Sequence, residues 1–106
     1  MFESHLALRR QGSTEEDIEK NYAADVVVVS NWGTFLGQDG IRESARILNE
    51  HLPKSSFTYD IAVVEENVGF LVWSAESPSA SVQNGVDSFV IKDDKIVTQT
   101  TYYVLG

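Results

Sequence analysis

The sequence predicts an α+β fold in which helices cover one face of a curved antiparallel sheet. Helical hydrophobic patterns occupy the first half of the chain, and from Phe57 onward strand-like segments alternate with turn signals. The chain shows no repeated strand–helix units, which would indicate a parallel sheet. Its 106 residues have the length of one domain with one core, so we expect a single domain over residues 1–106.

The first predicted helix covers residues 2–10 and ends at Gly12. Its inner face has the spacing i, i+3, i+4 and i+7, which is typical of an amphipathic helix. The residues on that face are Phe2, His5, Leu6 and Arg9. His5 is therefore expected to point toward the rest of the fold.

A second helix and a buried strand are predicted next. Ser13 and Glu16 have the spacing of a capping box, which would start a helix that ends near Ala24. The run at residues 25–30 contains four consecutive valines, and such β-branched residues favour a strand buried on both faces. Residues 31–33, Asn-Trp-Gly, are predicted to form a turn.

A short strand at residues 34–36 precedes the longest predicted helix, for which Asp39 is the expected N-cap and Pro53 the stop. Its apolar stripe consists of Ile41, Ala45, Leu48 and Leu52. The rest of the chain predicts a β-meander with strands at residues 57–65, 68–76, 82–92 and 96–105. Helices first and a meander last complete the predicted α+β order.

Composition argues against several kinds of partner. The formal net charge is −8, and Arg9-Arg10 is the only basic cluster, so neither a nucleic acid nor an anionic membrane surface is an expected partner. Without cysteine, thiolate chemistry is excluded, and no histidine pair has the spacing of a metal site. The glycines form no phosphate-binding motif, so we expect no cofactor. No apolar segment is long enough to span a bilayer, and a cytoplasmic location is expected.

Asp87 is the most informative residue, because it interrupts an apolar strand. Alternate strand residues share a face, so Asp87 should point the same way as Phe89 and Ile91. Burial disfavours the charged carboxylate and would raise its pKa. The residue is therefore a neutral hydrogen-bond donor, a proton shuttle, or a structural group bonded to a neighbour.

Other polar and aromatic residues are candidates for the same pocket. If the turn at residues 93–94 is tight, Gln99, Thr101 and Tyr103 face the same side as Asp87. The outer face would then carry Ile96, Thr98, Thr100 and Tyr102. Ser30 and Asn31 either line the pocket mouth or serve the turn, and Trp73 either closes a pocket or anchors an interface. His51 is expected to complement the dipole of the third helix.

The order of elements, together with the strings YAADV at residues 22–26 and DSFVIKDDKI at 87–96, resembles the nuclear transport factor 2-like superfamily. Within it the chain is most similar to SnoaL-like proteins, the polyketide cyclase and ketosteroid isomerase relatives. The resemblance implies a cone-shaped fold around an apolar pocket. It also implies a small apolar or polycyclic ligand, cofactor-independent chemistry and frequent homodimers. Fold membership alone does not give function.

The resemblance also implies roles for individual residues. Asp87 falls where ketosteroid isomerases have an oxyanion-hole aspartate, and His5 falls near the position of their oxyanion-hole tyrosine. Ser30 falls where they have a general-base aspartate, and serine is not a useful base at neutral pH. We therefore expect either an acid/base couple of Asp87 and His5 or a non-catalytic binding or interaction module. The residues expected to contact a ligand are Ser30, Asn31, Trp73, Phe89, Gln99, Thr101 and Tyr103.

The predicted meander also leads to an expectation about assembly. Only the outer face of the sheet lacks helices to cover it, and that face carries the apolar set ending at Tyr102. Monomers seldom expose large contiguous apolar patches, so a partner is expected there. We expect a homodimer assembled through this face.

Overall fold

Three helices and six strands form the fold in the computed structural model, which describes residues 1–106. In chain order they are α1 (Phe2–Gln11), α2 (Thr14–Asn21), β1 (Tyr22–Ser30), β2 (Gly33–Leu36), α3 (Gly37–His51), β3 (Ser56–Glu65), β4 (Val68–Glu76), β5 (Ser81–Lys92) and β6 (Lys95–Tyr102). The predicted α+β class is confirmed.

The six strands form one curved, unclosed sheet in the order β2-β1-β6-β5-β4-β3. All neighbouring pairs are antiparallel except β1 and β6, which run parallel. The sequence predicted a wholly antiparallel sheet, and the parallel pair was missed. It joins strands from opposite ends of the chain. Such a pairing depends on the topology and leaves no signal in local patterns.

The helix ends match the predicted caps except at the start of α3. Gly12 ends α1 in the left-handed conformation, as predicted, with φ of 79°. Ser13 is the N-cap of α2, as predicted, but its side chain makes no capping hydrogen bond. Leu36, not Asp39, is the N-cap of α3, and Asp39 lies in the first turn, where it pairs with Arg42. The Asp39 cap was wrong because residue type and spacing do not determine which partner a side chain finds.

Strand β1 starts at Tyr22, earlier than predicted, and it is buried on one face only. Val26 and Val28 are fully buried, whereas Val29 is 49% exposed. The prediction of burial on both faces was wrong, because the helices cover one side of the sheet and no second layer covers the other. β-branched residues fit an exposed sheet surface as well as a buried one.

A register shift explains why Ile96 is not on the outer face. Val90 pairs with Thr98, but the next residue of β5, Ile91, pairs with Ile96. One extra residue of β6 therefore lies in a bulge between Ile96 and Thr98. Because side chains alternate along a strand, the bulge turns Ile96 to the opposite side of the sheet. Ile96 is fully buried in the core, whereas Tyr102, beyond the bulge, is 56% exposed.

The outer face of the sheet presents exposed apolar side chains to solvent. Cross-strand pairing aligns Val72, Val86 and Tyr102 in one row, and Val68 and Val90 in another row of the same face. Among these, Val68, Val90 and Tyr102 are exposed, as are Ile61, Val63, Phe70 and Val29. None of the three helices combines the length and the hydropathy that crossing a membrane requires.

Candidate functional site

A cavity of about 550 Å³ lies between the inner face of the sheet and helices α1 and α3. It is lined by 29 residues, of which 15 are hydrophobic. Volume and composition are those of a pocket for a small organic molecule, in which a few polar groups orient an otherwise apolar ligand. The polar groups of interest are those on the inner face of β5 and β6 and on α1.

Asp87 lies in this lining and is partly buried. The indole nitrogen of Trp73 donates a hydrogen bond to Asp87 Oδ1 at 3.3 Å. Burial raises the pKa of Asp87 to about 6, although hydrogen bonds from Trp73 and Thr101 and the charge of Arg9 favour the carboxylate. Asp87 is therefore a carboxyl group whose proton is exchangeable near neutral pH.

Trp73 points inward and is 4% exposed, which settles the side that the sequence left open. Its ring lies between those of Phe57 and Tyr103, each with a centroid separation of 5.5 Å. Gly85 on β5 faces the indole so closely that a Cβ there would lie 2.4 Å from Trp73 Cε2. A glycine is required at this position, because any side chain would displace the indole that bonds to Asp87.

His5 also lines the cavity, and its side chain is held by Asp17. The side chain is buried against Phe89 and Tyr22, with ring centroids 5.2 and 5.6 Å away. Nδ1 lies 2.8 Å from Asp17 Oδ2, and His5 makes no hydrogen bond to Asp87. His5 and Asp87 therefore line the same cavity without a direct hydrogen bond between them. Burial lowers the pKa of His5 even though Asp17 favours the charged form, so the imidazole is neutral at pH 7.

Asp17 on α2 is the main polar residue that the sequence analysis missed. It is fully buried and accepts hydrogen bonds from His5, from Arg9 Nε at 2.7 Å and from Asn21 Nδ2 at 2.8 Å. Burial alone would raise the pKa of Asp17, but these bonds and charges outweigh it and hold the pKa below its ordinary value. The sequence held one signal for this burial: Asp17 and Asn21 are four residues apart, so they share a helix face, and they lie beside the buried Ile18.

Polar groups continue from this cluster along the inner face of the sheet. Arg9 Nη2 donates to the Tyr22 hydroxyl at 3.4 Å, and that hydroxyl donates to Gln99 Oε1 at 2.7 Å. Gln99 Nε2 donates to Thr101 Oγ1 at 3.1 Å, and Thr101 is the cross-strand neighbour of Asp87. A chain of hydrogen-bonding groups therefore runs from Asp17 across the cavity wall to Thr101, beside Asp87.

Two residues expected to contact a ligand lie outside the lining. Asn31 holds the end of the sheet, since its side chain bonds to both the carbonyl and the N–H of Tyr103 at 2.9 and 3.3 Å. Phe89 is 1% exposed and packs under Phe2 and His5. Its strand face was predicted correctly, but the helix above it fills the space that a ligand would need.

The other expected contacts line the cavity: Ser30, Trp73, Gln99, Thr101 and Tyr103. The Ser30 hydroxyl accepts the backbone N–H of Trp32 at 3.0 Å. Trp32, which the sequence analysis treated only as a turn residue, lines the cavity as well. His51 ends α3, as expected, and its Nδ1 lies 2.8 Å from the Tyr103 hydroxyl. No group of three or more His, Cys, Asp or Glu side chains is placed to hold a metal ion.

A family model described as "SnoaL-like domain" matches residues 4–99. No curated protein matches the chain in sequence. Solved structures with a similar fold include a candidate SnoaL-like polyketide cyclase from Jannaschia sp. CCS1, which is 13% identical with a TM-score of 0.80 and covers 95% of this chain and 83% of its own.

Two further solved structures share this fold. A candidate isomerase of the SnoaL-like family from Agrobacterium tumefaciens C58 is 17% identical, with a TM-score of 0.70, covering 84% of this chain and 79% of its own. A candidate ketosteroid isomerase from Kribbella flavida is 14% identical, with a TM-score of 0.74, covering 92% of this chain and 70% of its own. At these identities the likeness establishes the shared fold, while chemistry must be argued from the site.

Proposed function

The chain belongs to the SnoaL-like domain family, and from this premise we propose that it binds one small, largely apolar molecule in its cavity and transfers protons on it. The reaction class is cofactor-independent isomerisation, cyclisation or dehydration. Asp87 is the acid/base group, and His5 is its partner in the same cavity. The substrates of this class are aromatic or polycyclic molecules with a carbonyl or hydroxyl group.

The observation that carries this proposal is the position of Asp87 within the cavity. The carboxyl group has a pKa of about 6 in a lining in which 15 of 29 residues are hydrophobic. A group whose pKa lies near the working pH is the most effective in both removing and returning a proton. Perturbed carboxyl groups in clefts are enriched at functional sites. Proton transfer of this kind needs no bound cofactor.

A non-catalytic binding module is the second candidate, and the environment of Ser30 favours it. Ser30 falls where the resembled isomerases have their general base, and its hydroxyl oxygen accepts a backbone N–H from Trp32. A serine without a neighbouring base does not remove a proton at neutral pH. Under this alternative the cavity binds its ligand and releases it unchanged.

Binding and proton transfer are tested separately. Thermal unfolding is followed with a panel of aromatic and polycyclic ketones and phenols, and we expect some of them to raise the Tm. A Tm raised by divalent metals or nucleotides, with no response to the apolar panel, would contradict the proposal. The same screen on Asp87→Asn should retain binding, because the amide keeps the shape of the carboxyl group.

Proton transfer is measured by exchange of the α-protons of a bound ketone, 2-tetralone, in deuterated water. We expect exchange that depends on Asp87, with Asp93→Asn as the control because Asp93 is an exposed turn residue. Binding without exchange above the buffer rate would favour the binding module over the enzyme.

We also propose that the protein is a homodimer through the outer face of the sheet, and that it is cytoplasmic. The exposed apolar residues Phe70, Val90 and Tyr102 support this face, since no helix covers it. A stable two-fold interface removes roughly 800 Å² per partner from water. The pocket faces the opposite side, so dimerisation leaves it accessible.

A further inference from the structure

The buried cluster of His5, Arg9 and Asp17 has a geometry that packing alone does not require. Asp17 accepts three side-chain hydrogen bonds and has no exposed surface. Burying an ion pair is expensive, and a purely apolar contact between α1 and α2 would stabilise the fold at least as well. Arg9 and His5 are the members of the cluster that line the cavity, and His5 is the one that can act as a base.

The protonation state of His5 follows from its partner. Asp17 is held ionised, so its carboxylate can only accept hydrogen bonds. His5 is neutral at pH 7, and a neutral imidazole carries one N–H and one lone pair. Since Nδ1 lies 2.8 Å from Asp17 Oδ2, Nδ1 carries the proton. The lone pair is therefore on Nε2.

Nε2 is also accessible. Every fully buried side-chain nitrogen and oxygen of the protein has a hydrogen-bond partner. The only hydrogen bond of the His5 ring is made by Nδ1, so Nε2 is not among the fully buried atoms. Because His5 lines the cavity, the accessible lone pair is available to a molecule bound there.

We propose that His5 is a second proton-transfer group of the cavity, a general base acting through Nε2, and that Asp17 is the positioning residue that fixes its tautomer and ring orientation. This inference rests on the proposed function, since it adds a base to the same cavity. In the step it performs, a C–H proton of the ligand moves to Nε2. The C–H electron pair is taken up by the ligand, for example as an enolate, and the imidazolium then returns its proton.

The surroundings of His5 determine how this base titrates. The carboxylate of Asp17 stabilises the imidazolium that forms, and the guanidinium of Arg9 opposes it. The rings of Tyr22, Phe2 and Phe89 also pack against the imidazole and limit its contact with water. Apolar burial keeps the resting imidazole neutral, and the adjacent carboxylate limits the energy of the charged state. A carboxylate plays the same orienting part for histidine bases in other enzymes.

The first test measures the tautomer in the wild-type protein, so it does not depend on any variant folding. Long-range ¹H–¹⁵N correlation of the histidine rings at pH 7.5 distinguishes a protonated nitrogen from one with a lone pair. We expect His5 with hydrogen on Nδ1 and a free Nε2. A proton on Nε2, or a charged ring at this pH, would overturn the proposal.

The second test measures base catalysis with a probe, 5-nitrobenzisoxazole. A base removes its ring C–H proton, the C–H electron pair completes a nitrile, and the N–O bond breaks to release a coloured phenolate. We expect His5→Gln to lower the rate on the order of 10²-fold, because glutamine can still donate to Asp17 but is not a base. His51→Gln is the matched control, since His51 lies outside the lining.

Asp17→Asn separates positioning from packing. We expect a smaller loss of rate than in His5→Gln, together with a lower His5 pKa in the pH profile, because the charge that favours the imidazolium is removed. A folded Asp17→Asn protein with an unchanged profile would contradict the positioning role. If Asp17→Asn does not fold, the wild-type tautomer and the His5→Gln rate decide.

The outcomes also separate this inference from the proposed function. If apolar compounds bind and Asp87→Asn abolishes the probe reaction while His5→Gln leaves it unchanged, His5 is not the base and the proposed function stands. If no apolar compound binds, the proposed function fails whatever the tautomer of His5. Binding without any acceleration of the probe reaction would also overturn the role of His5.

Discussion

The raised pKa of Asp87 means that its charge destabilises the folded protein, and the effect can be calculated. The pKa is about 6 in the folded protein against an ordinary value of 3.8. At about 1.36 kcal/mol per pKa unit, burying the ionised carboxylate opposes folding by about 3 kcal/mol. Asp87→Asn removes the charge and keeps the shape, and the amide oxygen can still accept the Trp73 N–H. The substitution is therefore expected to stabilise the protein.

The sign of the pH dependence follows from which state holds the proton. Between pH 3.8 and about 6 the folded protein retains a proton that the unfolded chain has lost. The contribution of Asp87 to stability is therefore fully present below pH 3.8 and lost as the pH rises through about 6. His5 and Asp17 titrate in the same way in both proteins, so the difference between the two isolates Asp87.

Urea unfolding at pH 8 and pH 4, followed by circular dichroism, measures this difference. Asp87→Asn should be more stable than the wild type by up to about 3 kcal/mol at pH 8, and most of that gain should disappear at pH 4. Asp93→Asn is the control, because Asp93 is exposed and its φ of 52° suits asparagine. An Asp87→Asn protein that is less stable than the wild type at pH 8, or equally stabilised at both pH values, would refute the reasoning.

Three further substitutions test other parts of the structure. Gly85→Ala should lower the free energy of unfolding by about 1–3 kcal/mol, because its Cβ would clash with the Trp73 indole; an unchanged urea midpoint would contradict this. Asn31→Ala removes both side-chain bonds to the Tyr103 backbone and should cost about 1–2 kcal/mol in the same assay; no loss would show that water replaces them. Light scattering should give a dimer mass for the wild type and a monomer for Tyr102→Glu, whereas a wild-type monomer would rule out the dimer.

Strand periodicity is the reason that part of the site could be predicted from the sequence. A period of two residues puts Asp87, Gln99 and Thr101 on one side of the sheet, and all three line the cavity. The same argument failed for Ile96, because one bulged residue in β6 reverses the side and bulges leave little trace in composition. Helical periodicity likewise placed His5 on the inner face of α1.

The contacts between elements could not be predicted in this way. Asp17 reaches His5 only because the turn after Gly12 folds α2 back along α1, which depends on three-dimensional packing. Asn31 and Trp32 are adjacent in a turn, and the backbone geometry decided that Trp32 lines the cavity and Asn31 does not. Residue type marks a side chain as available for chemistry, but its partner is set by the tertiary structure.

The pKa of Asp87, measured by the ¹³C resonance of its carboxyl group over a pH titration, tests the central claim most directly. We expect a pKa of about 6 in the free protein. We also expect a further rise when an apolar compound from the thermal screen occupies the cavity, because the compound displaces the remaining water around the carboxyl group. A pKa near 3.8, unchanged by any compound that binds, would contradict the claim that Asp87 is the acid/base group of this cavity.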